Sequence, residues 1–166
     1  MFPRKITNLM MVFFGLLFFS FLGCSSEEED SCDVSFCKNT VPTTEDDILK
    51  SYIESKSWQM DKNCDGAYYF IEEPGFGTHP DRCSDVTVSY TGKLLNGVVF
   101  DASDEPFSTN IRETIEGWRN ALPLLGEGGK MTLLLPPSLG YGASSNAGIP
   151  GNSSLIFEIE LFEVLN

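Results

Sequence analysis

The sequence predicts an α+β fold built on an antiparallel sheet. Three observations carry that prediction. Val86 to Thr91 and Leu155 to Val164 alternate apolar with polar residues, the period of a half-buried strand. Asn96-Gly97 stands between the apolar pairs Leu94-Leu95 and Val98-Val99, the strongest short-range signal for a hairpin. Only one short helical face, Ile115, Trp118 and Leu122, falls between the first strands and the last. Many strands around one short helix make an α+β chain with an antiparallel sheet.

The elements follow in chain order. Arg4 and Lys5 precede a run from Leu9 to Leu22 that only Gly15 and Ser20 interrupt. That run is shorter than the ~20 residues of a membrane span and has the form of a secretory leader. It ends in Phe21-Leu22-Gly23-Cys24, which resembles the lipobox of bacterial lipoproteins, with Phe21 where that motif usually has Leu. The resemblance implies cleavage after residue 23, lipid on Cys24, a membrane anchor through that lipid, and an outer-membrane lipoprotein of the bacterial cell envelope. Residues 24–44 read as a tether. Their acidic run, Glu27 to Asp30, stays solvated. It is also similar to the acid-rich signal by which some Gram-negative lineages export lipoproteins to the cell surface.

Next comes a helical extension over 45–63. Thr44 is the expected cap, with Glu45, Asp46 and Asp47 in the first turn, where the helix dipole favours acids. Ile48, Leu49, Tyr52 and Ile53 recur at helical spacing and predict an amphipathic helix over 45–57 that docks on the domain. The remaining residues, 64–166, form the main domain. Ala67 to Ile71 reads as a strand turned by Pro74-Gly75. Lys130 to Leu135 is a strand stopped by Pro136-Pro137. Residues 140–151, rich in Gly, Ser, Asn and Pro, are a loop.

The chain has 166 residues and a formal charge of -13, and removing Arg4 and Lys5 with the leader takes it to -15. So acidic a chain repels phosphate backbones, which argues against nucleic-acid binding. Five cysteines are present. With Cys24 assigned to lipid, Cys32, Cys37, Cys64 and Cys83 remain, an even set that in an exported chain reads as disulfides. Four cysteines allow three pairings. The expectation is Cys32 with Cys37 and Cys64 with Cys83. With no CxxC pair and one histidine, His79, no metal site is expected, and no cofactor. Ser138 and Ser144 lack a histidine partner, and the glycines of 140–151 lack the lysine of a phosphate loop.

Six blocks in colinear order carry a family resemblance. Val88-Ser89-Tyr90-Thr91-Gly92-Lys93-Leu94 with Asn96-Gly97 and Phe100-Asp101 comes first, followed by Pro106-Phe107. Ile115-Glu116-Gly117-Trp118 is next, then Gly129-Lys130 with Leu135-Pro136-Pro137 and Tyr141-Gly142. Ile149-Pro150 and Leu155 to Leu161 close the set. Together they resemble the FKBP-type peptidyl-prolyl cis-trans isomerases, over about Gly66 to Leu165. The resemblance implies a twisted antiparallel sheet of about five strands wrapped around one short helix. It implies a proline pocket with Trp118 as its floor. Tyr90, Phe100, Phe107, Ile115, Tyr141 and Phe157 form its walls, Ile149 lies above, and Asp101 is the one charge at the rim. The Ile115 N–H is left to bond a carbonyl of the bound chain. Three departures fall at the rim: Thr114 replaces the usual Val, Gly140 replaces Ala, and the stretch from Pro106 to Trp118 is about two residues short.

The chemistry so implied is rotation about X–Pro bonds of client polypeptides, inhibitable by a macrolide. The barrier is amide resonance, roughly 18–20 kcal/mol, and uncatalysed rotation takes about tens to hundreds of seconds. No nucleophile is needed. A dry aromatic site strips water from the amide, and a donor aimed at the twisted carbonyl favours the transition state. The Tyr141 hydroxyl is the candidate donor, and Asp101 holds the geometry. Two other readings compete. One is a non-catalytic module gripping Pro-containing segments as a chaperone. The other is a structural lipoprotein of a surface complex.

Overall fold

The computed structural model describes residues 40–165. The leader, Cys24, Cys32, Cys37 and most of the tether lie outside them. The chain enters through helix α1 (Thr43–Lys56). Pro42, not Thr44, holds the position before it: its carbonyl accepts from the Glu45 and Asp46 N–H groups at 3.0 and 3.1 Å. Extended backbone at Pro42 leaves that carbonyl free for the first turn, so Thr44 lies inside the helix. Glu45 reaches instead to the Ser138 N–H, 3.0 Å away. Ser57, in left-handed backbone, ends the helix.

Among the described residues six strands follow: β1 (Asp61–Lys62), β2 (Tyr68–Glu73), β3 (Asp85–Leu94), β4 (Val99–Asn110), β5 (Gly129–Leu135) and β6 (Leu155–Leu165). They form one antiparallel sheet in the order β1-β2-β5-β6-β3-β4. Five long strands thus match the expected count, and β1 adds a two-residue edge that sequence periodicity is too short to show. The Asn96-Gly97 turn joins β3 to β4, closed by Leu94 N–H to Val98 C=O at 2.9 Å. Between β4 and β5 lie a 3-10 turn (Ile111–Glu113), helix α2 (Glu116–Ala121) and a second 3-10 turn (Leu122–Leu124).

The alternation along β5 and β6 sorts residues to two faces. Met131, Leu133, Leu135, Phe157, Ile159 and Leu161 join Val86, Val88, Trp118 and Leu122 in the main core under α2. On the other face Leu134 and Ile156, with Tyr68, receive Leu49 of α1. Each such fully buried aliphatic side chain stabilises the fold by roughly 1.5–3 kcal/mol. α2 sits very close to the sheet: a Cβ on Gly117 would fall 2.3 Å from Leu135 Cδ2. That contact sets the depth of Trp118, one residue on.

A polar clamp completes the docking of α1. Asp46 is buried and accepts from Tyr68 Oη at 2.8 Å and Lys62 Nζ at 2.6 Å, and pairs with Lys50 at 2.7 Å. Burial alone would raise its pKa, but the bonds from Lys50, Lys62 and Tyr68 outweigh it and hold the carboxyl at about 2. Burial, then Asp46, pushes the Tyr68 hydroxyl up to about 12. Cys64 and Cys83 are both disulfide-bonded. Among the described residues no helix is long and apolar enough to cross a membrane.

Candidate active site

Register brings the site together. Between Val88, paired with Phe107, and Tyr90, paired with Ser103, the β3–β4 ladder shifts. Three residues of β4, 104–106, therefore face Ser89 alone, a bulge of the kind that re-aims side chains beside functional sites. Beyond it, β4 presents Phe107 and Thr109 on one face. α2 supplies Trp118, β6 supplies Phe157, and the turn after Pro137–Leu139 supplies Tyr141.

These side chains line a cavity of about 250 Å³, together with Asp101, Glu113, Thr114 and Ile115. Trp118, 5% exposed, and Phe157, 3% exposed, are the most buried of the lining residues. Tyr90 meets it edge-on, centroids 5.1 Å apart at 87°, and Phe157 does the same at 5.4 Å and 85°. Phe107 packs against Tyr90 at 5.8 Å. Edge-to-face packing of this kind fixes ring orientations. The rings therefore stand as walls and do not collapse into the space.

Two of the expected site residues stand back from it. Phe100 does not line the cavity. It meets Phe157 edge-on at 5.7 Å and 87°, and a Cβ on Gly92 would lie 2.6 Å from its Cζ. Ile149, 4% exposed, belongs to the main core and is outside the cavity lining. Thr109 and Glu113 line the cavity although no sequence motif points to them. Counting by twos from Phe107 finds Thr109 once β4 is known to run to Asn110. Glu113 is placed by the 3-10 turn that follows.

The polar groups are few. Tyr90 Oη donates a short hydrogen bond to the Asp101 carboxylate. Burial first, then the Asp101 charge, raises the Tyr90 pKa well above its ordinary value, so the hydroxyl stays a donor. Burial and Asp101 also raise that of Tyr141. Trp118 Nε1 is buried and finds no acceptor among the described residues. Ile115 precedes α2 in extended backbone, its carbonyl accepting from the Trp118 and Arg119 N–H groups at 3.0 and 3.2 Å. His79 lies apart, with Nδ1 3.2 Å from the Pro123 carbonyl. Among the described residues no cluster of three or more His, Cys, Asp or Glu could hold a metal.

The sequence model of the FKBP-type peptidyl-prolyl cis-trans isomerases matches residues 77–162. This chain belongs to that family. Among its FKBP relatives, an isomerase named FkpA from Buchnera aphidicola is 40% identical over 115 residues, covering 68% of this chain and 48% of its own length. FkpA of Escherichia coli K12 is 40% identical over 102 residues, 60% of this chain and 38% of that protein. The chain thus spans about half or less of the length of these curated relatives. The crystal structure of Escherichia coli FkpA superposes with a TM-score of 0.66 at 35% identity, over 74% of this chain and 60% of that one. A peptidyl-prolyl cis-trans isomerase of Pseudomonas syringae also gives 0.66 at 30% identity, over 77% of this chain and 99% of its own. The FKBP fold expected from the sequence is the fold observed.

Proposed function

We propose that the chain is a peptidyl-prolyl cis-trans isomerase that turns X–Pro bonds of client polypeptides in the Trp118 cavity. The observation that carries this reading is an aromatic cavity whose few polar groups include the Tyr90–Asp101 pair and the Tyr141 hydroxyl. The proline ring packs on Trp118 between Tyr90, Phe107 and Phe157. Phe100 supports Phe157 from behind, and Ile149 supports the wall through the core. Leaving water removes the hydrogen bonds that favour the planar amide. The Ile115 N–H takes a carbonyl of the bound chain. Tyr141 Oη donates to the carbonyl as it twists. Asp101 acts by fixing Tyr90, which leaves it no role as a base.

The reading extends to place and partners. The 1–23 leader is removed, Cys24 carries lipid, residues 24–44 tether the domain, and 45–63 brace it. The enzyme then assists the folding of envelope or surface proteins, and a macrolide that fills the cavity inhibits it. The deciding experiment follows the cis-to-trans rate of an X–Pro peptide with the soluble chain, with and without macrolide. Acceleration abolished by macrolide is the expected result. A folded chain that binds the peptide without accelerating it would leave a Pro-segment binding module instead. Mass spectrometry of the N-terminal peptide tests the anchor: unmodified Cys24 in protein taken from membranes would remove it.

A further inference from the structure

Cys64 and Cys83 are both disulfide-bonded. They stand at opposite corners of the sheet. Cys64 follows Lys62, whose row runs through Tyr68, Leu134 and Ile156 to Lys93. It is held there by the turn in which Asn63 and Ala67 bond each other at 2.9 Å. Cys83 precedes Asp85, at the other end of β3. The Asn110 side chain holds its carbonyl at 2.8 Å, and Arg112 donates to its sulfur at 2.9 Å. From Asp85 to Lys93 is eight residues (93 − 85), roughly 26 Å along a strand. From β3 to β1 is four steps across the sheet, roughly 19 Å more in the perpendicular direction. A disulfide joins Cα atoms no more than about 7 Å apart, and sheet twist does not close a gap of that size. The register therefore argues against the expected pairing of Cys64 with Cys83.

We infer that the tether supplies both partners, Cys37 to Cys64 and Cys32 to Cys83, so that two disulfides staple it across the domain. Chain reach assigns the pairs. Val41 packs on Gly66: a Cβ there would lie 2.5 Å from Val41 Cγ2. Cys37 is four residues before Val41 and reaches at most about 14 Å from it, enough for Cys64 and too little for Cys83. Cys32, nine residues before Val41, reaches roughly 32 Å. Leaving Cys24 out of the bridges rests on the lipoprotein reading. Each bridge forms by thiol–disulfide exchange with a disulfide-bearing oxidant of the exported compartment. Two thiols give up two protons and two electrons, and the oxidant's disulfide becomes two thiols.

The staple has consequences for the site. Arg112, against the Cys83 sulfur, sits in the 3-10 turn whose Glu113 lines the cavity. The bridge at Cys83 thus ties the tether to the cavity's own rim.

Non-reducing peptide mapping of the full chain, purified from its exported compartment, tests this. Cleavage after Phe36 separates Cys32 from Cys37, and cleavage after Arg82 separates Cys64 from Cys83. The expected linked peptides join Cys32 to Cys83 and Cys37 to Cys64. A Cys32–Cys37 peptide, a Cys64–Cys83 peptide or the crossed pairs would overturn the inference. A Cys24 peptide found in a bridge would sink both the inference and the lipid anchor, whereas an unmodified free Cys24 would sink the anchor alone. A second measurement uses Cys32→Ser, labelled with maleimide under native conditions or in denaturant. One new thiol, at Cys83, is expected, and a new thiol at Cys64 or Cys37 would overturn the assignment.

Discussion

At the scale of single residues the cavity depends on a few atoms. Tyr141→Phe keeps the ring and removes only the proposed donor. Turnover should fall roughly 10-fold, the worth of one hydrogen bond of ~1.4 kcal/mol, with the melting temperature unchanged. Isomerisation kinetics beside a thermal melt check this. Unchanged turnover would take the donor role from Tyr141. Gly92→Ala tests the wall from behind. Its Cβ would stand 2.6 Å from Phe100 Cζ and 3.1 Å from Phe157 Cε1, so both rings must shift. Overpacking of this sort costs typically 1–3 kcal/mol, and peptide affinity should drop with it. A denaturant titration and a binding isotherm read the two effects.

At the scale of elements, α1 is held on the sheet by apolar packing around Leu49 and by the Asp46 clamp. The folded carboxyl, at about 2, lies below its ordinary value of 3.8. A depressed acid contributes stability that is full above the unfolded pKa and is lost as pH falls through the folded one. About 2 kcal/mol should therefore disappear between about pH 4 and pH 2. Asp46→Asn should remove most of that slope and destabilise the protein at neutral pH. Urea titrations of both proteins at several pH values check this. A slope that survives in Asp46→Asn would assign the acid sensitivity to another group. On the alkaline side Tyr68, raised from 10 to about 12, keeps its proton and its donor bond in the folded protein until pH nears 12, and the stability it contributes declines from about pH 10 upward.

At the scale of the whole molecule, both described cysteines are oxidised. Closing loops in the unfolded chain removes conformational entropy, so each bridge contributes roughly 2–4 kcal/mol. Reductant should lower the melting temperature markedly at neutral pH, as calorimetry with and without it would show. An unchanged melt with fully reduced thiols would mean that packing alone holds the fold.

The sequence carried a large part of this. Alternation in β3, β5 and β6, the Asn96-Gly97 hairpin and the Leu49 face of α1 were legible because they follow from local periodicity and turn chemistry. The six family blocks added the fold and the aromatic set. The two-residue strand β1, the Pro42 start of α1, and Thr109 and Glu113 in the cavity were not legible. A two-residue strand has no period, and a cap depends on one backbone angle. The lining depends on which β4 residues face inward after the bulge at 104–106. Phe100 and Ile149 carry the same kind of chemistry as Phe107 and Ile115. Only the packing of Gly92 against Phe100, and the core around Ile149, sets them behind the wall and the others on it. Local patterns thus determined which elements form and which residues can build an apolar pocket. Tertiary structure decided which of them surround empty space, because a cavity is assembled from strands far apart in sequence, and their register is a property of the whole sheet.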